Sequence, residues 1–200
     1  MLTLYHRPHA GRPIRVAWAL EEAGADYDVV IITPEEGTTP EHLARQPLGR
    51  VPALVDDEGP LFESTALALH VGELFPEAGL LAPDGSHERA LIQQWAIYSM
   101  TEIEPPAVQA LRAREKDPEG AAKAMARAAK TAGVLEQALS GSPPRLVGER
   151  LTIADIVASE VLRLMVKYEA IESSPLIDAY LTDLAARPAH QRAFERLNVS

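Results

Sequence analysis

Apolar and polar positions alternate over Leu2-Thr3-Leu4-Tyr5, which predicts a first strand. The stretch from His6 to Arg12 is polar, contains Pro8 and Gly11, and reads as a loop. Pro13 suits a first helical position, and residues 14–23 are apolar on most sides, so a buried helix is expected, ended by Gly24. Tyr27 to Ile32 is rich in β-branched residues and reads as a second strand, largely buried. A short helix is expected over 40–45. Two short strands should follow on either side of the turn Asp56-Asp57-Glu58-Gly59. A helix from Ser64 to Phe75 would place Leu67, Val71 and Leu74 on one face and stop at Pro76.

The order β-α-β-α-β-β-α is that of a thioredoxin-like domain, assigned to residues 1–76. Residues 77–85 (Glu77-Ala78-Gly79-Leu80-Leu81-Ala82-Pro83-Asp84-Gly85) read as a linker, and residues 86–200 as an all-helical domain. In the second domain a long helix starts near 86, with Leu91, Trp95 and Tyr98 on one stripe. Pro105-Pro106 should kink or break it, because Pro106 cannot donate to Glu102. Beyond the turn at Asp117-Pro118-Glu119-Gly120, the positions Ala121, Met125, Ala128, Ala132, Leu135 and Leu139 form a core stripe whose small residues allow close helix packing. Residues 140–150 read as a loop. Thr152 and Asp155 then have the spacing of a reciprocal helix-start box, with Leu151 and Ile156 at the positions of a hydrophobic staple. Two shorter helices are expected, near 175–186 and 189–197.

Composition narrows the chemistry. An apolar share of 46% supports a real core. No apolar run approaches the roughly 20 residues of a membrane span, and the N-terminus lacks the features of a signal peptide, so a cytoplasmic protein is expected. There is no cysteine, which removes disulfides, thiolate metal sites and dithiol redox chemistry. A net charge of −10 argues against nucleic acid as a partner. Residues 1–82 carry thirteen acidic residues against five arginines and no lysine. Those arginines (Arg7, Arg12, Arg15, Arg45 and Arg50) all lie in or beside segments expected to line one cleft, which suits a small anionic ligand. His6 and His9 have no third ligand in their segment, and no metal is expected.

The densest signal runs from Gln46 to Ser64. Pro52 directly precedes Ala53-Leu54-Val55 and belongs at a sheet entry. A cis Val51-Pro52 bond there would turn the Val51 N–H and C=O outward. Ser64 has the character of an N-cap at a helix start, where anions bind. Gln46-Pro47-Leu48-Gly49-Arg50-Val51-Pro52-Ala53-Leu54, followed by Glu63-Ser64, resembles the glutathione-site signature of the soluble, two-domain glutathione S-transferases of bacterial type. The box at Thr152 and Asp155 resembles a helix-start motif of the same family, with a structural role. The resemblance spans nearly the whole chain and implies the thioredoxin-like fold plus helical domain, glutathione as substrate, and a homodimer. It also implies binding roles: Ser64 for the γ-glutamyl carboxylate, Glu63 for its ammonium, the Val51 main chain beside Pro52 for the cysteinyl unit, and Arg50 and Gln46 for the glycyl carboxylate.

Transfer chemistry needs a glutathione thiolate, and a free thiol has a pKa of about 8.5, so a donor or helix N-terminus must favour ionisation. The family keeps a Tyr, Ser or Cys where the first strand ends and the first helix begins. Here His6 to Pro13 holds no Ser, Thr or Cys, and Ala10 stands about where many relatives have Ser. Tyr5, His9 and Arg12 are the remaining side-chain donors, alongside the backbone near Ala10-Gly11. The resemblance puts the second substrate near Tyr98, Met100 and Thr101. The expected activity is conjugation of glutathione to a hydrophobic electrophile. The alternatives are a glutathione-dependent isomerase and a non-catalytic glutathione-binding or scaffolding protein, the latter favoured by Ala10.

Overall fold

Five residues of β1 (Leu2–His6) run parallel to β2 (Tyr27–Ile31), pairing Leu2 with Tyr27 and His6 with Ile31. The crossover that parallel strands require is made by α1 (Pro13–Glu22). On its other side β1 pairs antiparallel with β3 (Ala53–Val55), which forms a hairpin with β4 (Pro60–Phe62). The sheet order is β2-β1-β3-β4. The computed structural model describes residues 1–8 and 10–197. It separates into one unit of Met1–Leu81 together with the chain from Ala186 onward, and a second of Ala82–Ala185.

In the first unit, Leu2, Leu4 and His6 face the core, as does almost all of α1. α2 (Pro40–Arg45) begins after Thr39, whose hydroxyl accepts from His42 N–H. α3 (Ser64–Leu74) buries Leu67, Ala68 and Val71. Three expectations change here. β2 is an edge strand with Val30 and Ile31 exposed, so its β-branched run reflects strand propensity and not burial on both faces. Leu74 is exposed at the last position of α3. The domain boundary is also not a single cut, because α9 (Pro188–Leu197) belongs to the first unit.

The physical reason for that return is a set of contacts between α9 and the α1–β2 region. Arg187 makes a two-pronged ion pair with Glu22, at 2.6 and 2.8 Å. Arg192 reaches Glu21 at 2.8 Å. Arg196 donates to the Tyr27 carbonyl and lies 4.0 Å over the Tyr27 ring. His190 meets the Trp18 ring edge-on at 4.6 Å.

The second unit is helical. α4 (His87–Tyr98) passes through a π-helical turn, Ser99–Ile103, into α5 (Glu104–Ala113). The extra residue in that turn falls just before Pro105-Pro106, where the prolines cannot donate to the preceding turn. The buried stripe is Ile92, Ala96, Ser99 and Ile103, not Leu91, Trp95 and Tyr98, which are half-buried. α6 (Pro118–Ala138) buries Ala121, Ala124, Ala128, Ala132 and Leu135, so Ala124 takes the place expected for Met125. α7 (Ile153–Lys167) opens with the Thr152–Asp155 box, and α8 (Pro175–Ala185) follows. Asp155 is fully buried and accepts from Leu146 N–H, Thr152 N–H, the Thr152 hydroxyl and the Tyr180 hydroxyl, at 2.9 to 3.1 Å.

Candidate active site

Ser64 is the first helical residue of α3, and Glu63 occupies the cap position expected for Ser64. Glu63 has φ +73°, a conformation that a residue with a side chain adopts at a cost of about 1–3 kcal/mol. The turn leaves the Glu63 carboxylate exposed, with no ion pair among the described residues. Ser64 is only 3% exposed, and its Oγ accepts from Nη1 of Arg15 at 3.2 Å. Arg15 itself is fully buried in α1. Among the described residues the Ser64 hydroxyl proton has no acceptor. The neighbouring Thr65 Oγ1 is buried and makes no hydrogen bond either.

The second element is the loop before β3. The Gln46 side chain is buried, and its Oε1 accepts from Leu48 N–H at 2.7 Å and Arg50 N–H at 3.0 Å. His42 Nε2 donates to the Arg50 carbonyl at 2.9 Å. Gln46 thus shapes the loop from inside, which favours a scaffolding role over the ligand contact expected of it. Arg50 holds its place by its main chain and leaves its side chain exposed. Gly49 sits at φ +64°, packed on the Gly37 carbonyl: a Cβ there would come within 2.5 Å of that oxygen. The Val51-Pro52 bond is cis. Neither the N–H nor the C=O of half-buried Val51 bonds to another described residue.

At the end of β1 the five arginines separate into different roles. Arg7 donates to the carbonyls of Ile32 and Thr33, tying β1 to the exit of β2. Arg45 pairs with Glu41 and stacks 4.4 Å over the Tyr5 ring. Arg7 and Arg45 are thus held by groups of the protein itself, Arg15 is held in part by Ser64, and Arg50 is exposed. Tyr5 lies on the opposite sheet face from Leu4, with its ring beside His42 and under Arg45, so it carries packing against α2 whatever else it does. Arg12 is exposed at the cap of α1. His9 lies outside the described residues. His6 is fully buried, with Nε2 2.9 Å from the Leu197 carbonyl. That geometry makes Nε2 the N–H nitrogen and leaves Nδ1 buried without a bond, and desolvation lowers the His6 pKa below its ordinary value.

In the second unit, the Tyr98 hydroxyl donates to the Thr131 carbonyl at 3.1 Å, and burial followed by the Glu102 charge raises its pKa. Thr101 is exposed and its hydroxyl bonds back to the Ile97 carbonyl. Met100 is half-buried in the π-helical turn. Among the described residues no group of three or more His, Asp or Glu could hold a metal ion.

The residue that sequence patterns understated is Arg15. Its signal was there: one arginine among Ile14, Val16, Ala17, Trp18 and Ala19, in a helix apolar on nearly every side. A buried cation at such a position needs a polar partner, and Ser64 on a different helix is part of the answer.

Comparison with known proteins supports the same assignment. Residues 1–73 match the family model "Glutathione S-transferase, N-terminal domain", and residues 89–188 match "Glutathione S-transferase, C-terminal domain". Glutathione S-transferase 4 of Zea mays is 31% identical over 199 residues, covering 92% of this chain and 88% of its own. Among solved structures, a glutathione transferase from Methylococcus capsulatus str. Bath superposes with a TM-score of 0.87 at 30% identity, over 99% of both chains. A family member from Pseudomonas fluorescens Pf-5, crystallised with two glutathione bound, gives 0.85 at 30% identity, over 97% of this chain and 92% of that one. With its sheet order, its α3 start and both halves matched, the chain belongs to the glutathione S-transferase family.

Proposed function

We propose that this protein is a glutathione transferase that binds glutathione at the start of α3 and at Val51, and promotes attack of its thiolate on a hydrophobic electrophile. The observation that carries the reading is the set of polar groups left open on one unit. Among the described residues these are a buried Ser64 hydroxyl without an acceptor, an exposed Glu63 carboxylate on a strained backbone, and the Val51 amide and carbonyl. They match a tripeptide with a carboxylate, an ammonium and a peptide unit. Ser64 and the α3 N-terminus take the γ-glutamyl carboxylate, Glu63 its ammonium, Val51 the cysteinyl peptide, and Arg50 the glycyl carboxylate. The Pseudomonas relative solved with glutathione bound has the same fold over nearly its whole length.

Arg12, at the cap of α1, is the preferred side chain for the thiolate, ahead of Tyr5, whose ring is already packed. His9 is the third candidate. Tyr98, Met100 and Thr101 are the candidates for contact with the electrophile. Among the described residues no helix is long and apolar enough to cross a membrane. A homodimer is proposed as well, using the apolar Leu61, Phe62 and Leu74, each about two-fifths exposed on the first unit.

Isothermal titration with glutathione tests the site. Ser64→Ala should weaken binding by about 1–3 kcal/mol, the worth of one hydrogen bond to a charged group. Unchanged affinity would remove Ser64 from the site. Turnover of an aryl halide tests the reaction. If Tyr5→Phe, His9→Ala and Arg12→Ala all leave the pH–rate profile unmoved, backbone N–H groups near Ala10 carry the thiolate.

A further inference from the structure

A serine hydroxyl has two lone pairs and one proton, and it rotates to suit its neighbours. At an ordinary helix start this makes it an ambiguous partner: it can accept from a backbone N–H or donate to whatever anion arrives. Ser64 does not have that freedom. The Arg15 guanidinium, wholly buried and incapable of accepting, occupies an Oγ lone pair at 3.2 Å. Guanidinium cannot deprotonate, so the direction of this bond is permanent. The Ser64 proton must therefore point away from Arg15. With the residue 97% buried and no acceptor among the described residues, that proton is left for a ligand. We infer that Arg15 is a positioning residue for glutathione: through the Ser64 hydroxyl it fixes a donor for the γ-glutamyl carboxylate and polarises it with a buried positive charge. This rests on the proposed glutathione site and adds a group that does not itself touch the ligand.

The arrangement has two physical consequences. A hydrogen bond whose donor is a cation withdraws electron density from Oγ and strengthens the O–H as a donor to the next group along the chain. The hydroxyl is also held in the binding orientation before glutathione arrives, so less freedom is lost on binding. Both effects act on ground-state binding of a part of the substrate remote from the sulfur. Removing them should therefore raise KM for glutathione with kcat nearly unchanged.

The test measures glutathione affinity and steady-state kinetics for wild type, Arg15→Met, Ser64→Ala and the double variant. The same four proteins are titrated with γ-aminobutyryl-cysteinyl-glycine, which keeps the amine and lacks the γ-glutamyl carboxylate. Met approximates the volume of the arginine stem without its charge. Arg15→Met is expected to weaken glutathione on the order of tenfold, to raise KM without lowering kcat, and to leave the truncated peptide's affinity unchanged. In the Ser64→Ala background the same substitution should have almost no further effect. A loss from Arg15→Met that persists in full in that background, or that appears equally with the truncated peptide, overturns the proposal while leaving the site intact. So does wild-type affinity in Arg15→Met. Wild-type affinity in Ser64→Ala overturns the site itself, and the proposal with it. If Arg15→Met does not fold, Arg15→Gln, which removes the charge and keeps a side chain able to hydrogen-bond in the buried site, carries the same comparisons with the same expected pattern.

Discussion

Asp155→Ala is the substitution for which the structure gives the clearest magnitude. The carboxylate is wholly buried and accepts four hydrogen bonds: from the main-chain N–H of Leu146 at 3.0 Å and of Thr152 at 2.9 Å, and from the hydroxyls of Thr152 at 3.0 Å and Tyr180 at 3.1 Å. Alanine removes the acceptor from all four. The hydroxyls can rotate, and that of Tyr180 already lies 3.4 Å from the Asp155 carbonyl, which survives the change. The two N–H groups are fixed by the backbone and have nowhere to turn. Each stranded donor costs about 1–3 kcal/mol, so the two together should cost roughly 2–6 kcal/mol. Set against about 5–15 kcal/mol for a whole domain, that is a large fraction of its stability. Urea denaturation at pH 7, followed by far-UV circular dichroism and by tryptophan emission, should show the midpoint fall sharply with little change in slope. Asp155→Asn, which keeps one carbonyl acceptor, should lose about half as much. Asp84→Ala, which breaks an ion pair at a position 92% exposed, should leave the midpoint where it was. A loss below about 1 kcal/mol for Asp155→Ala would show that water or a rearranged loop satisfies these donors, and the reasoning would fail.

Gly49→Ala should destabilise the first unit by about 1–3 kcal/mol and raise KM for glutathione, because the added carbon collides with the Gly37 carbonyl and the residue must hold φ +64°; thermal unfolding and initial rates check both. His6 has a pKa below its ordinary 6.5, so its contribution to stability is complete above pH 6.5 and is lost as the pH falls through the lowered folded-state value. His6→Gln should therefore flatten the decline in stability between pH 7 and 5, measured by denaturation at each pH; an unchanged slope would assign that decline to other groups. Phe62→Glu, on the exposed edge strand β4, should shift sedimentation from dimer towards monomer, and a dimer of undiminished affinity would move the interface elsewhere.

The fold was legible because each local signal agreed with the next. Pro13 opened α1, the acidic turn with Gly59 made the hairpin, and Thr152 with Asp155 opened α7. Errors arose where burial depends on what lies alongside. Nothing in the composition of Tyr27 to Ile31 distinguishes an edge strand from a central one, and Leu74 keeps the spacing of Leu67 and Val71 although it is exposed at the last position of α3. The arginines show the same limit. Their places in the chain grouped all five, and the sequence does not show that backbone carbonyls hold Arg7 or that Arg45 lies over an aromatic ring. The motif at Gln46 points to the proposed site, but it does not show that the Gln46 side chain turns inward to shape its own loop.

The return of α9 to the first unit has a consequence for how this chain is made. On the ribosome the sheet and α1 emerge early, yet the carboxylates of Glu21 and Glu22 and one edge of Trp18 wait for partners more than 160 residues downstream, at Arg187, His190 and Arg192. A unit begun ahead of the helical one is thus completed after it. Halting translation after residue 185 would damage the half already built more than the half just finished.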